Sequence, residues 1–424
     1  MWLRSAQCSL LLLGILSPAN GLIHQQVAFD NSDVCWWGLM PPDLVCPILN
    51  QQNLTELAGS IAGTYAWEGG DKCEGAFCLY SNQGFAGGRG IAVITTPPNY
   101  DRVKAVGDLL KDHGVSFKDT DSYPFHITEI EGKGNGIVAD QALKRGDPIM
   151  GHTPVLLVHR AFKEATPQSQ QQRLVQAAID SLPKTTADLF MAQMAHIPEK
   201  HRNAAMLTTN AFLLNLKTDT GGDDGSGHHF GAFPEVARLN HDCRPNAVYR
   251  IDSATLMHIT TAVSAIEPGE EITISYLDPL LPREQRQERL RKDWRFECNC
   301  DQCSLSDDEH EHSETRLKEI KWIEAKLTDY SEHRGISTGL ITYLLGLYEN
   351  EGLYCCLGRA YKLAALNFNG LGYEKQAKMY AELAIEALKL EKGEGAAADI
   401  SDLEALIKRP NKHWTFSGRL VNIR

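Results

Sequence analysis

"RLNHDCRPNA", residues 238–247, packs Asn240, His241, Cys243 and Asn246 into ten positions. Such polar density suits a loop, yet a cysteine at its centre calls for a partner. The next cysteines along the chain are Cys298, Cys300 and Cys303, in the C-x-C-x-x-C clip "CNCDQC". Three thiolates in so short a loop repel one another unless a soft cation neutralises them. Zinc favours four sulfur or nitrogen ligands in a tetrahedron. Cys243 is the thiol that would complete a closed, structural site of four cysteines, and disulfides are the alternative in an oxidising compartment.

The chain of 424 residues has room for two or three compact domains. It is 43% apolar and 23% charged, an ordinary balance for a folded protein. A net charge of −12 argues against direct nucleic-acid binding, which needs a basic footprint, and suits a basic peptide better. The opening "MWLRSAQCSLLLLGILSPANG" has the layout of a secretory signal over 1–21, with Ala19 and Gly21 placed for cleavage before Leu22. Secretion or a secretory-pathway lumen is the resulting expectation, with cytoplasm or nucleus as the alternative. Asn53-Leu-Thr55 then becomes a glycosylation site, and Cys35, Cys46, Cys73 and Cys78 are expected to form two disulfides of open pairing. No later run is long and apolar enough to span a membrane.

Residues 22–83, rich in Gly, Pro and Trp, read as an irregular, cysteine-containing lead-in. "GRGIAVITTP" (88–97) reads as a short strand and "DRVKAVGDLLKDHG" as an amphipathic helix. From 125 to 159, "HITEI", "GIVAD" and "PIMGHTPVLLV" predict short, twisted antiparallel strands between Gly-rich turns. Three helices are expected over 161–218, ending with "AAMLTTNAFLLNL". A polar loop (217–229) follows, in which His228–His229 reads as solvated. Strand character returns in "AVYRID", "TLMHITTAV" and "EEITISY". Beyond 283 the pattern is helical, with a hairpin around "NGLGYE" similar to a tetratricopeptide unit.

The order "GKGNG", helical insertion, "RLNHDCRPNA", "GEEITISY", "WRFECNCDQC" resembles SET-domain proteins, S-adenosylmethionine-dependent lysine methyltransferases, in the layout of SMYD-like and fungal SET-domain chains. The resemblance implies an α+β fold of short twisted sheets. It divides the chain into SET parts at 84–160 and 231–280, an insertion at 161–230, a post-SET zinc loop at 281–305 and an all-α tail at 306–424. It also implies cofactor contacts from Gly134, Asn135, Gly136, Asn240, His241, Tyr276 and Phe296. Tyr276 would be the catalytic group, with "NHDC" crossing "GEEITISY", and Phe296 would lie near the adenine and the target channel. Cys243, Cys298, Cys300 and Cys303 would hold structural zinc.

The implied activity is N-methylation of a protein or peptide lysine. The alternative is a SET scaffold that acts on a small molecule of a specialised pathway or only binds. Two positions depart from the family pattern: Ser275 precedes Tyr276 where Asp is usual, and Asp242 replaces a Ser. The zinc-binding MYND finger of SMYD relatives is missing, since the insertion contains no Cys.

Overall fold

The computed structural model describes residues 66–112, 123–194, 202–216, 225–331 and 335–420. The leader, Cys35, Cys46 and Asn53 lie outside them. The fold is α+β: four small sheets carry the first two-thirds, and helices the rest.

The largest sheet has the order β1-β2-β3-β7-β9-β8, built from β1 (Glu68–Glu74), β2 (Phe77–Asn82), β3 (Ile91–Thr95), β7 (Leu156–His159), β8 (Ala211–Asn215) and β9 (His228–Ala232). The lead-in expected to be irregular up to residue 83 therefore supplies two strands. Gly69, Gly70 and the charges of "EGGDKCE" hide β1 from any apolar pattern. Cross-strand pairing and a Cys73–Cys78 disulfide between directly opposed residues hold it instead. The antiparallel set expected over 125–159 is divided among three sheets. β4 (Phe125–Ile130) and β5 (Gly134–Ala139) form a hairpin of their own. β6 (Pro148–His152) joins β11 (Ala247–Ile251) and β12 (His258–Ala262), while β7 pairs parallel with β3. The short helix α1 spans Pro97–Asp112, as its spacing predicts.

The insertion carries α2 (Arg160–Ala165), α3 (Gln168–Asp180), α4 (Lys184–Met191) and α5 (Arg202–Asn210). The last expected helix is cut short: "AFLLN" leaves it as β8 and pairs with β9. A short apolar run does not distinguish helix from strand by period alone. Asn210 marks the break, donating its amide to the Met206 and Met194 carbonyls. His229, expected to be solvated, is fully buried in β9. Its Nε2 lies 2.7 Å from Thr95 Oγ1 and its Nδ1 2.8 Å from the Gly227 carbonyl.

The tail comprises α7 (Asp307–Thr328), α8 (Thr338–Asn350), α9 (Leu357–Gly370), α10 (Glu374–Lys392) and α11 (Ala397–Lys408), preceded by the shorter α6 (Arg283–Arg289). α9 and α10 form the hairpin around "NGLGYE", with Phe368 stacked on Tyr380 at 5.3 Å. The tail has its own apolar core, running from Leu317 to Leu406. It locks onto the sheets through buried charge: Glu351 accepts from Arg244 at 2.6 Å, Arg316 at 2.7 Å and Ser313 at 2.9 Å. Arg145 adds bonds to the Val263 and Tyr354 carbonyls and to Glu386. Among the described residues no helix is long and apolar enough to cross a membrane.

Candidate active site

The opening stretch becomes β10 (Asn240–His241), which pairs in parallel with β13 (Thr273–Ile274); Asn240 faces Thr273 and His241 faces Ile274. "NHDC" and "GEEITISY" therefore lie side by side, paired in parallel. A bidentate ion pair upstream fixes the approach to β10: Arg89 grips Glu235 at 2.6 and 2.7 Å. Burial works against the Glu235 charge, but Arg89 outweighs it and holds the carboxyl down to about 2. Asn246 stitches the other side, donating to the Glu271 carbonyl at 2.8 Å and accepting the Thr273 amide at 2.9 Å.

The glycines of "GKGNG" have separate reasons. Gly134 has φ +76°, a backbone region that favours glycine, and a Cβ there would meet only Met194 Cε at 4.0 Å. Gly136 is instead crowded: a Cβ would come within 2.9 Å of Asn240 Nδ2 and Glu271 Oε1, and 2.5 Å of Ile130 Cγ1. Its glycine admits the Asn240–Glu271 pair against the hairpin. Glu271 is the hub here, accepting from Lys133 Nζ at 2.6 Å and Asn240 Nδ2 at 2.9 Å. Asn240 also reaches the Asn135 carbonyl at 3.4 Å.

His241 is buried beneath this group. Its Nδ1 accepts the Tyr276 amide at 3.1 Å, and its Nε2 lies 3.4 Å from Cys243 Sγ. Burial lowers its pKa to about 4, so the ring is neutral. The Tyr276 hydroxyl donates to the Leu239 carbonyl at 2.7 Å. Burial first, and then the Glu271 charge, push this phenol's pKa up, which keeps its proton in place near neutral pH. Tyr276 packs against Trp294 at 5.2 Å and Phe296 at 6.5 Å, and Phe296 also faces His241 at 6.2 Å.

All four sulfurs of Cys243, Cys298, Cys300 and Cys303 come together within 4.8 Å of one another, buried and unbridged. The Cys243–Cys303 separation is 3.6 Å. A tetrahedron with zinc–sulfur bonds of about 2.3 Å has sulfur–sulfur edges of about 3.8 Å. The donor set fits zinc, and the disulfide alternative is not what these thiols form. Hydrogen bonds from Cys243 and Cys298 favour the Cys300 thiolate over its thiol. Gln287 holds the clip from behind, with Nε2 on the Cys298 carbonyl at 2.7 Å and Oε1 on its amide at 3.0 Å. Arg286 is buried alongside; burial opposes its charge, but the facing Cys243 and Cys303 sulfurs outweigh it and favour the guanidinium. Leu290, Tyr276, Trp294 and Phe296 pack on the sulfur cluster, so the four cysteines and the aromatic wall share one core.

The site residues expected from Gly134 to Cys303 all converge on this region. Sequence reasoning missed Lys133 and Glu271, though both lie inside quoted motifs, because neither was expected to pair across the hairpin. Trp294 was also missed. Its indole donates to the Thr209 carbonyl at 3.1 Å, tying the end of α5 to the wall, and nothing in its local pattern marks it.

Comparison with known proteins agrees. The SET-domain family matches residues 134–277. The chain is 35% identical over 146 residues to the N-lysine methyltransferase SMYD2 of Gallus gallus, covering 32% of this chain and 33% of the relative. To the Homo sapiens SMYD2 it is 30% identical over 179 residues, covering 38% and 39%. To the histone-lysine N-methyltransferase SMYD3 of Mus musculus it is 42% identical over 77 residues, covering 18% of each. The chain thus matches less than two-fifths of the length of these curated relatives. With β10 and β13 paired beside the "GKGNG" hairpin and that match along the same span, residues 134–277 are a SET domain.

Proposed function

We propose that this protein transfers a methyl group from S-adenosylmethionine to a lysine side chain of a protein or peptide. The observation that carries the reading is the convergence of Asn240, His241 and Tyr276 beside the "GKGNG" hairpin. The similarity to N-lysine methyltransferases supports it. The alternatives, a small-molecule enzyme or a binding module, draw no support from these matches.

S-adenosylmethionine, when bound, supplies an electrophilic methyl on a sulfonium. Gly134–Gly136, Asn240, the His241 backbone and Phe296 would hold it, the His241 ring being engaged by Tyr276 and Cys243. Displacement by an amine is in line, so alignment is the protein's main task. The amine must also lose its proton, and the aromatic wall of Trp294, Phe296 and Tyr276 disfavours an ammonium by desolvation. The Tyr276 hydroxyl keeps its own proton and serves as a hydrogen-bonding group rather than a base. Cys243, Cys298, Cys300 and Cys303 would hold zinc in a structural role, fixing the loop that carries Trp294 and Phe296.

The test is an assay with methyl-labelled S-adenosylmethionine against lysine-containing peptides and whole-protein extracts, read by mass spectrometry. Label on lysine that depends on Tyr276 is the expected result. Label on small molecules alone would overturn the lysine assignment.

A further inference from the structure

We propose that His241 is a positioning residue that ties the metal-ligand sulfur of Cys243 to Tyr276, so that occupancy of the four-cysteine site sets the placement of the tyrosine. What Tyr276 then does rests on the methyltransferase reading; the metal end of the link does not.

The hydrogen bonds fix the chemistry of the ring. Nδ1 accepts the Tyr276 amide proton at 3.1 Å, so its lone pair is in use and it carries no hydrogen. A neutral imidazole then holds its proton on Nε2. That nitrogen lies 3.4 Å from Cys243 Sγ, a reach suited to sulfur's larger radius, so Nε2–H donates to the sulfur. A metal-bound thiolate accepts such a bond more strongly than a neutral thiol, because the acceptor is charged. The ring has little freedom: it is buried, with Tyr276 at 5.3 Å and Phe296 at 6.2 Å. Holding it at the sulfur therefore holds the Tyr276 backbone, whose side chain in turn reaches the Leu239 carbonyl at 2.7 Å. Groups around a metal site commonly orient the residues next to it in this way.

Two substitutions separate the two ends of the ring. In His241→Asn the amide oxygen can replace Nδ1 while the bond to sulfur is lost. In His241→Gln the longer amide can reach the sulfur but leaves the Tyr276 amide without its acceptor. Both are compared with wild type as cobalt-substituted proteins at matched metal content. The expected result is a shifted thiolate-to-cobalt charge-transfer band in His241→Asn and a near wild-type band in His241→Gln. His241→Gln is also expected to lose roughly tenfold in affinity for S-adenosylhomocysteine.

Cadmium-113 NMR of the wild-type protein gives a readout that needs no variant: an imidazole N–H proton should show scalar coupling to the metal. A His241→Asn band that superimposes on wild type, or no coupling to any imidazole proton, overturns the proposal. If metal-loaded wild type fails to bind S-adenosylhomocysteine, the methyltransferase reading fails instead, and the spectroscopic result stands by itself.

Discussion

Tyr276 shows how much a single contact can decide. Its hydroxyl has a fixed acceptor in Leu239 and a pKa held above the ordinary phenol value by burial and Glu271, so it offers an oriented hydrogen bond and no proton acceptor of its own making. Tyr276→Phe should keep the fold and lower the rate of methyl transfer by roughly 10²-fold, the scale for losing one oriented group at a reacting centre. Steady-state kinetics check this, and an unchanged kcat contradicts it. Buried histidines set a second behaviour. Burial lowers His229 and His258 from 6.5 to about 3. Between those values the unfolded chain binds protons that the folded chain refuses. Their contribution to stability is full above pH 6.5 and is lost as the pH falls toward 3. At 1.36 kcal/mol per unit, each ring costs about 2 kcal/mol at about pH 5. Urea unfolding of His229→Gln should show a pH dependence flatter by about that amount between pH 7 and 5. An unaltered slope would contradict the assignment.

At the scale of elements, the join between the sheets and the tail matters most. Glu351, at the end of α8, is fully buried and holds Arg244, the residue after Cys243. Removing one partner of such a pair costs about 3–5 kcal/mol because the other charge stays buried. Glu351→Ala should therefore lower stability by that order in urea unfolding, and a change below about 1 kcal/mol would show that the pair contributes little. Cys243→Ser should reduce bound zinc and weaken cofactor affinity by roughly 10- to 100-fold, as read by metal analysis and calorimetry. Zinc content equal to wild type would rule out Cys243 as a ligand.

What could be read from the chain follows from where each signal lies. The four-cysteine set was legible because thiol chemistry demands convergence whatever the intervening fold. The strands around "HITEI" and "GIVAD" were legible as elements, but their sheet partners were not, since β6 and β7 find theirs about a hundred residues away or upstream in β3. β1 was hidden because its residues are nearly all exposed, so cross-strand pairing and the disulfide hold it instead of apolar burial. Glu271 was hidden for a related reason: its partners Lys133 and Asn240 meet it only once three segments are assembled.

Across the whole molecule, a SET domain and a helical tail are joined by the partly buried Arg145–Glu386 pair and by the buried Glu351 carboxylate on Arg244. The N-terminal leader reading has its own check: the mature protein from its native source should begin at Leu22 by mass spectrometry, and a chain retaining Met1 and the apolar run would contradict it. On the proposed function, the site beside β10 and β13 takes S-adenosylmethionine. Isothermal titration of the zinc-loaded protein with S-adenosylmethionine tests it before any substrate is known. The expected result is saturable binding at one site per chain, weakened by metal removal. No detectable binding to the folded, zinc-loaded protein would contradict the proposed function.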